Sequence, residues 1–302
     1  MSVKKILFDT TELKPRATGV EAISEGEDFT VNGEEIILAA GAIASPQILM
    51  LSGIGPKEHL EEHNINTLID SPGVGQNLRD HPLIAITWQT KPGVILSNPN
   101  MNPRGQVTLR YTADGSPINN DMIVYLFAGA SKRRDLGGIS TEPIGIGAGL
   151  GLNLALSQGE IKLQSNDYRD YPLLNYNLLD DPEDMRRYRD GVRILVGLEK
   201  HPSISEFVET RLYPLDSDME TNDTLDSWIR KHVQTGHHVS CTAKMGLVSD
   251  PMAVVDQYGK VYGTDGLRVA DASVMPDCVR ANINVTVMVI GERIADFIKQ
   301  GL

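Results

Sequence analysis

The chain has 302 residues, 41% of them hydrophobic and 23% charged, proportions ordinary for a soluble globular protein with one large core or two smaller ones. A net charge of −12 argues against nucleic acid and against an anionic membrane surface as partners. Two cysteines, Cys241 and Cys278, are too few for a disulfide framework and lack metal-binding spacing, so no metal is expected. No apolar run is long enough to span a membrane, and the opening Met-Ser-Val-Lys-Lys-Ile-Leu-Phe-Asp is too short in apolar residues for a signal peptide, so a cytoplasmic location is expected.

In chain order, residues 5–8 and 17–23 read as strands. Residues 34–40 read as a strand apolar on both faces. Ser45 then offers an N-cap and Pro46 a first helical position, with the helix running to 51 and ended by Gly53 to Pro56. Residues 58–63 form a second short helix. Residues 71–82 hold too many turn formers for regular structure, and Asp80 and His81 read there as structural. Strand patterns follow at 84–88, 106–111, 122–127 and 161–165. The spacing of Met185, Tyr188, Val192, Leu195 and Val196 predicts a helix over 182–196, capped by Asp180 or Asp181. A further helix covers 223–233. The last begins near Asn284, with Val287, Ile290, Ile294, Phe297 and Ile298 at helical spacing and Asn284 or Thr286 as cap.

The chemistry concentrates near the C-terminus. Residues 236–246 read Gly-His-His-Val-Ser-Cys-Thr-Ala-Lys-Met-Gly, and 269–282 read Val-Ala-Asp-Ala-Ser-Val-Met-Pro-Asp-Cys-Val-Arg-Ala-Asn. An imidazole and a carboxamide, each beside small residues, suit removal of a proton from an alcohol: His238 takes the proton and Asn282 holds the oxygen. A packed core histidine and a helix-capping asparagine are the plainer alternatives. Neither cysteine has a His-Asp partner pattern, so both read as structural thiols. The glycines of Gly-Ile-Gly-Ala-Gly-Leu-Gly at 145–151 lack the spacing and the strand-turn-helix context of a dinucleotide loop, and read as a flexible strand connection.

These two segments resemble the C-terminal signature of the glucose-methanol-choline (GMC) flavoprotein oxidoreductases. Residues 39–56 resemble the family's second signature, 73–82 the loop after it, and 255–269 the run between the His and Asn motifs. The resemblance covers essentially the whole chain, in family order. It implies an α/β (α+β) fold in which 1–82 and 235–302 form part of an FAD-binding domain. An antiparallel-sheet substrate-binding domain with helices then occupies 83–234. It implies FAD as cofactor and a small-molecule alcohol as substrate, with oxygen or another acceptor reoxidising the flavin. It assigns the catalytic roles to His238 and Asn282, and contact with the flavin to Gly41, Ala42, Ser45, Asp271, Ala272, Asn284 and Val285.

The family's N-terminal Gly-x-Gly-x-x-Gly turn, which would grip the ADP half of FAD, has no counterpart here. The expectation is therefore the C-terminal part of such an enzyme, binding FAD with an N-terminal half or partner chain, or else self-associating to cover its apolar face. Two alternatives stay open: a flavin-independent lyase, isomerase or cyclase using His238 as acid or base, and a non-catalytic binding module.

Overall fold

A computed structural model describes residues 2–94, 105–134 and 138–302. The chain forms two compact units. The first contains the described residues through Asp80, Gln158–Asn177 and His237–Leu302; the second contains His81–Ser157 and Leu178–Gly236. Residues 158–177, expected within the 83–234 domain, pack into the first unit. Leu78 and Gly159 exchange backbone hydrogen bonds, and Ile161 and Leu163 enter its core.

The first unit opens with an antiparallel meander of Ser2–Asp9, Arg16–Ser24 and Glu27–Asn32. The strand Ile36–Leu38 follows, shorter than the expected 34–40, and pairs in parallel with Leu267–Val269. The chain then turns at Gly41, whose φ of +84° lies in the left-handed region that glycine enters without a Cβ clash, and starts the helix Gly41–Leu51. Here the sequence expectation is corrected. Ser45 and Pro46 lie inside this helix rather than at its start. Proline has no N–H to donate four residues back, which orphans the carbonyl of Ala42. The Thr242 hydroxyl donates to that oxygen at 2.6 Å, so the proline is tolerated. Leu49, Met50, Ile54, Leu60, Val74, Val255, Leu267 and Val269 build the core of this unit. The final helix, Asn284–Lys299, follows Ile283 and has no side-chain cap, so neither Asn284 nor Thr286 fills that role.

The second unit is an antiparallel sheet with strand order Val208–Tyr213, Pro82–Thr90, Gly138–Leu152, Met122–Arg134 and Gly105–Tyr111, with Gln234–Thr235 also paired to Pro82–Thr90. Residues 145–151 lie inside a central strand, not in a connection. A Cβ at Gly145 would run into the Trp88 carbonyl and one at Gly147 into the Phe127 ring, so these glycines serve close approach. The helices Pro182–Gly197 and Asn222–His232 bury Met185, Tyr188, Val192, Leu195, Leu225, Trp228 and Ile229 against Ile84, Ile86, Trp88, Val124, Ala148 and Leu150. Asp181 caps the first of these helices through Glu183 N–H at 2.8 Å.

One buried ion cluster closes this unit. The Arg187 guanidinium, 1% exposed, donates to Asp121 at 2.8 Å and to Asp184 at 2.5 Å. Asp121 also accepts from Ala113 N–H and the Ser116 hydroxyl, and Asp184 from the N–H groups of Leu156 and Ser157. Two loops are thereby tied to one helix.

Two stability measurements follow. Arg187→Met strands two buried carboxylates, and urea unfolding is expected to register a loss of about 3–5 kcal/mol. Thr242→Val leaves the Ala42 carbonyl unpaired, at a cost of about 1–3 kcal/mol, whereas Thr242→Ser keeps the hydroxyl and most of the stability. Equal midpoints for the valine and serine variants would contradict the second assignment.

Candidate active site

In the first unit Asn282 Nδ2 lies 3.2 Å from His238 Nε2. Residues 44 positions apart in sequence are thus in hydrogen-bond contact. An amide nitrogen donates, so the facing ring nitrogen accepts and the ring proton sits on Nδ1. The Nε2 lone pair and an amide N–H thus meet at one point, paired with each other. His238 is half-buried and Asn282 exposed, so a ligand can reach that point from solvent.

The electrostatics favour a neutral ring. Burial lowers the pKa of His238 below its ordinary 6.5, Asp80 opposes this, and His237 adds to the lowering. Asp80 also accepts the His238 backbone N–H at 2.9 Å. His237, beside it, is exposed with φ of +63°. Burial pushes the Cys241 thiol up to about 12 and Cys278 up to about 11, so both are protonated at neutral pH and are poor nucleophiles.

The remaining predicted residues gather in the same unit. The Asp271 carboxylate accepts from Gly41 N–H at 2.9 Å, from the Ser45 hydroxyl at 2.5 Å and from Ser273 N–H at 2.8 Å. Ala42 and Ala272 share a small apolar cluster with Cys241 and Met275, and Ile283 and Val287 of the last helical segment pack on it. Asn284 and Val285 are exposed at the start of that helix, where no side chain caps the first-turn N–H groups.

These residues fit part of a flavin site. A position over Gly41 Cα is open: apart from its own helix turn and chain neighbours, no atom of the described residues lies within 4 Å of where a Cβ would stand. The Ser273 hydroxyl is buried without a partner among the described residues. An uncapped helix N-terminus attracts an anion or an electron-rich edge. Among the described residues, no group of three or more His, Cys, Asp or Glu side chains could hold a metal ion, and no helix is long and apolar enough to cross a membrane.

Sequence reasoning missed Asp80 and Thr242 as partners of this site. Asp80 acts on a backbone N–H and Thr242 on a carbonyl freed by a distant proline, and neither leaves a side-chain pattern.

Two family profiles described as GMC oxidoreductase match residues 1–83 and 155–291. Choline oxidase of Arthrobacter globiformis is 36% identical over 99% of this chain and 55% of its own length. An oxygen-dependent choline dehydrogenase of Pectobacterium carotovorum is 34% identical over 98% of this chain and 55% of its own. The chain thus spans about 55% of the length of these relatives. The fold matches pyridoxine 4-oxidase of Mesorbium loti (TM-score 0.84, 24% identity, 97% of this chain and 56% of that one). It also matches a variant of Aspergillus oryzae formate oxidase (TM-score 0.88, 24% identity, 99% and 60%). With two profiles and relatives of this identity aligned along its length, the chain belongs to the glucose-methanol-choline (GMC) oxidoreductase family.

Proposed function

We propose that this chain carries the alcohol-activating part of an FAD-dependent oxidoreductase, with His238 as base and Asn282 as donor to the substrate oxygen. The 3.2 Å separation of their reacting nitrogens supports this reading most directly. Bound FAD supplies the two-electron acceptor that side chains lack. His238 Nε2 takes the hydroxyl proton, and burial keeps that nitrogen unprotonated beforehand. Asn282 donates to the oxygen as negative charge grows on it. Gly41, Ala42, Ser45, Asp271 and Ala272 would line the flavin, and the uncapped helix start at Asn284 and Val285 would offer its N–H groups to an anionic or electron-rich part of it.

The relatives' names make choline the first alcohol to test. The net charge of −12 suits a cationic substrate, since a negative field raises its local concentration. We assign the grip on the ADP half of FAD to the portion of the relatives that this chain does not match. Support comes from the large apolar side chains left exposed in the first unit: Ile37 is 46% exposed, Val285 68%, Met288 61% and Val289 60%. The activity is therefore proposed for the chain together with that portion.

In the FAD-loaded assembly, His238→Ala is expected to lower kcat on choline by roughly a hundredfold or more, the share of a general base. Asn282→Ala should lose less, because water replaces a neutral donor in part. The double variant should lose less than the product of the single losses, since both groups act on one atom. Single variants oxidising alcohol at the parental rate would defeat the assignment. Turnover that needs His238 but no flavin would favour a lyase, isomerase or cyclase instead.

The pH dependence has a definite sign. Because the His238 pKa is lowered in the folded chain, the unfolded chain binds more protons at this position. Its contribution to stability is thus constant above about pH 6.5 and is lost as pH falls below that value. An NMR titration should place the His238 midpoint below 6.5. A midpoint at or above that value would overturn the burial argument.

A further inference from the structure

Two features of the His238 segment demand restraint. His237 and Cys241 both hold left-handed backbone, with φ of +63° and +73°, in a segment without regular secondary structure. Non-glycine residues keep such angles only where surrounding contacts over-determine them. Beside the bond from Cys241 N–H to the Ala272 carbonyl, contacts come from residues 77–80, in the turn-rich loop that the sequence marks as merely structural. Arg79 and Ser240 exchange both backbone hydrogen bonds, at 3.0 and 2.9 Å. The Asp80 carboxylate accepts the His238 N–H at 2.9 Å.

The Asn77 amide reaches both catalytic segments at once. Its Nδ2 donates to the Pro276 carbonyl at 3.3 Å and to the Cys241 carbonyl at 3.5 Å. The first carbonyl leads to Asn282 and the second follows His238. The amide's orientation is fixed from its other end, because Arg79 Nε donates to Asn77 Oδ1 at 3.1 Å. Arg79 Nε also lies 3.6 Å from Asp277 Oδ1, again in the Asn282 segment. Asn77 itself has φ of +59°, an angle asparagine tolerates better than most residues.

We infer that Asn77, Arg79 and Asp80 are positioning residues that clamp the His238 and Asn282 segments to each other by their backbones and so set the Asn282 Nδ2 to His238 Nε2 contact. None of the three needs to touch substrate. A contact at 3.2 Å between an exposed amide and a half-buried ring is lost with a shift of about an ångström, and misplacement of that size costs about a hundredfold in an oriented reaction. The inference rests on the alcohol-activation reading for its consequence in turnover, but not for its geometry.

The test reads the His238 ring directly, on this chain with ¹⁵N-labelled imidazoles and without FAD or substrate. The His238 signal is identified by its disappearance in His238→Asn. Parent chain should carry the ring proton on Nδ1. Asn77→Gly keeps the left-handed backbone and removes the amide. Asp80→Leu removes the acceptor, and Asp80→Asn restores a carbonyl at the same place. The first two should shift the tautomer ratio away from Nδ1–H by roughly three- to tenfold, the equilibrium worth of one neutral hydrogen bond, and the third should return it close to parent. In the FAD-loaded assembly the same two variants should lower kcat by roughly ten- to a hundredfold with KM little changed. A parental tautomer ratio in folded Asn77→Gly would overturn the clamp, as would an Asp80→Asn chain as disturbed as Asp80→Leu. Should Asp80→Leu fail to fold, Asn77→Gly decides alone. If the ratio moves as expected while His238→Ala retains full turnover, the alcohol-activation reading fails and the clamp stands.

Discussion

One buried carboxylate organises the first unit. The parallel pairing of Ile36–Leu38 with Leu267–Val269 delivers Gly41 and Asp271 to the same ends of two strands. Asp271 then spans 230 positions of sequence to accept the Gly41 N–H. A carboxylate at a helix start satisfies donors that the helix leaves unpaired and meets the positive end of its dipole. The Ser45 hydroxyl and Ser273 N–H fill its remaining lone pairs, so its burial at 5% exposure leaves it well bonded. The residues after Asp271 accept a ladder of bonds: Cys241 N–H to Ala272, Ala243 to Ser273 and Met245 to Val274. His238 is carried on the segment laid down by that ladder.

The same dependence explains why the helix Gly41–Leu51 departs from its sequence signature. Ser45 and Pro46 look like a cap and a first helical residue. The serine hydroxyl is instead committed to Asp271, 226 positions away, and the carbonyl that the proline orphans is answered by Thr242, 200 positions away from Ala42. Local propensity lost to two long-range hydrogen bonds, which no windowed pattern contains. The final helix makes the converse point. Its apolar periodicity was legible, but the absence of a side-chain cap at Ile283 was not, because Asn284 and Thr286 offer suitable side chains that the backbone geometry does not use.

Elements with their own period were the most legible: the helices Pro182–Gly197 and Asn222–His232 follow their apolar spacing to within a residue or two of the expected bounds. The glycine run at 145–151 was legible as unsuited to phosphate. Its role in close strand packing was hidden, because it depends on the Trp88 and Phe127 neighbours across the sheet. The His238 and Asn282 motifs could be picked out by residue type, and their contact is a tertiary fact that spacing alone cannot supply. Residues 77–80 left the least trace. Their bonds run to backbone atoms, and a turn-rich loop with Asn, Arg and Asp has the composition of any solvated turn.

The balance around His238 follows from where each of these parts ends. Burial holds the resting imidazole neutral, which keeps a lone pair on Nε2 at physiological pH. The same burial opposes the imidazolium that the proposed base role would form. Asp80 offsets that opposition, since its charge raises the His238 pKa while its oxygen holds the residue's N–H. The two buried cysteines do not compete, because their thiols stay protonated at neutral pH. On the proposed reading, a base whose Nε2 lone pair is held at rest by the Asn282 amide, with a carboxylate beside its charged form, both accepts a proton and returns it. On the same proposal, the loop that carries Asp80 tunes this balance while its bonds hold the His238 segment.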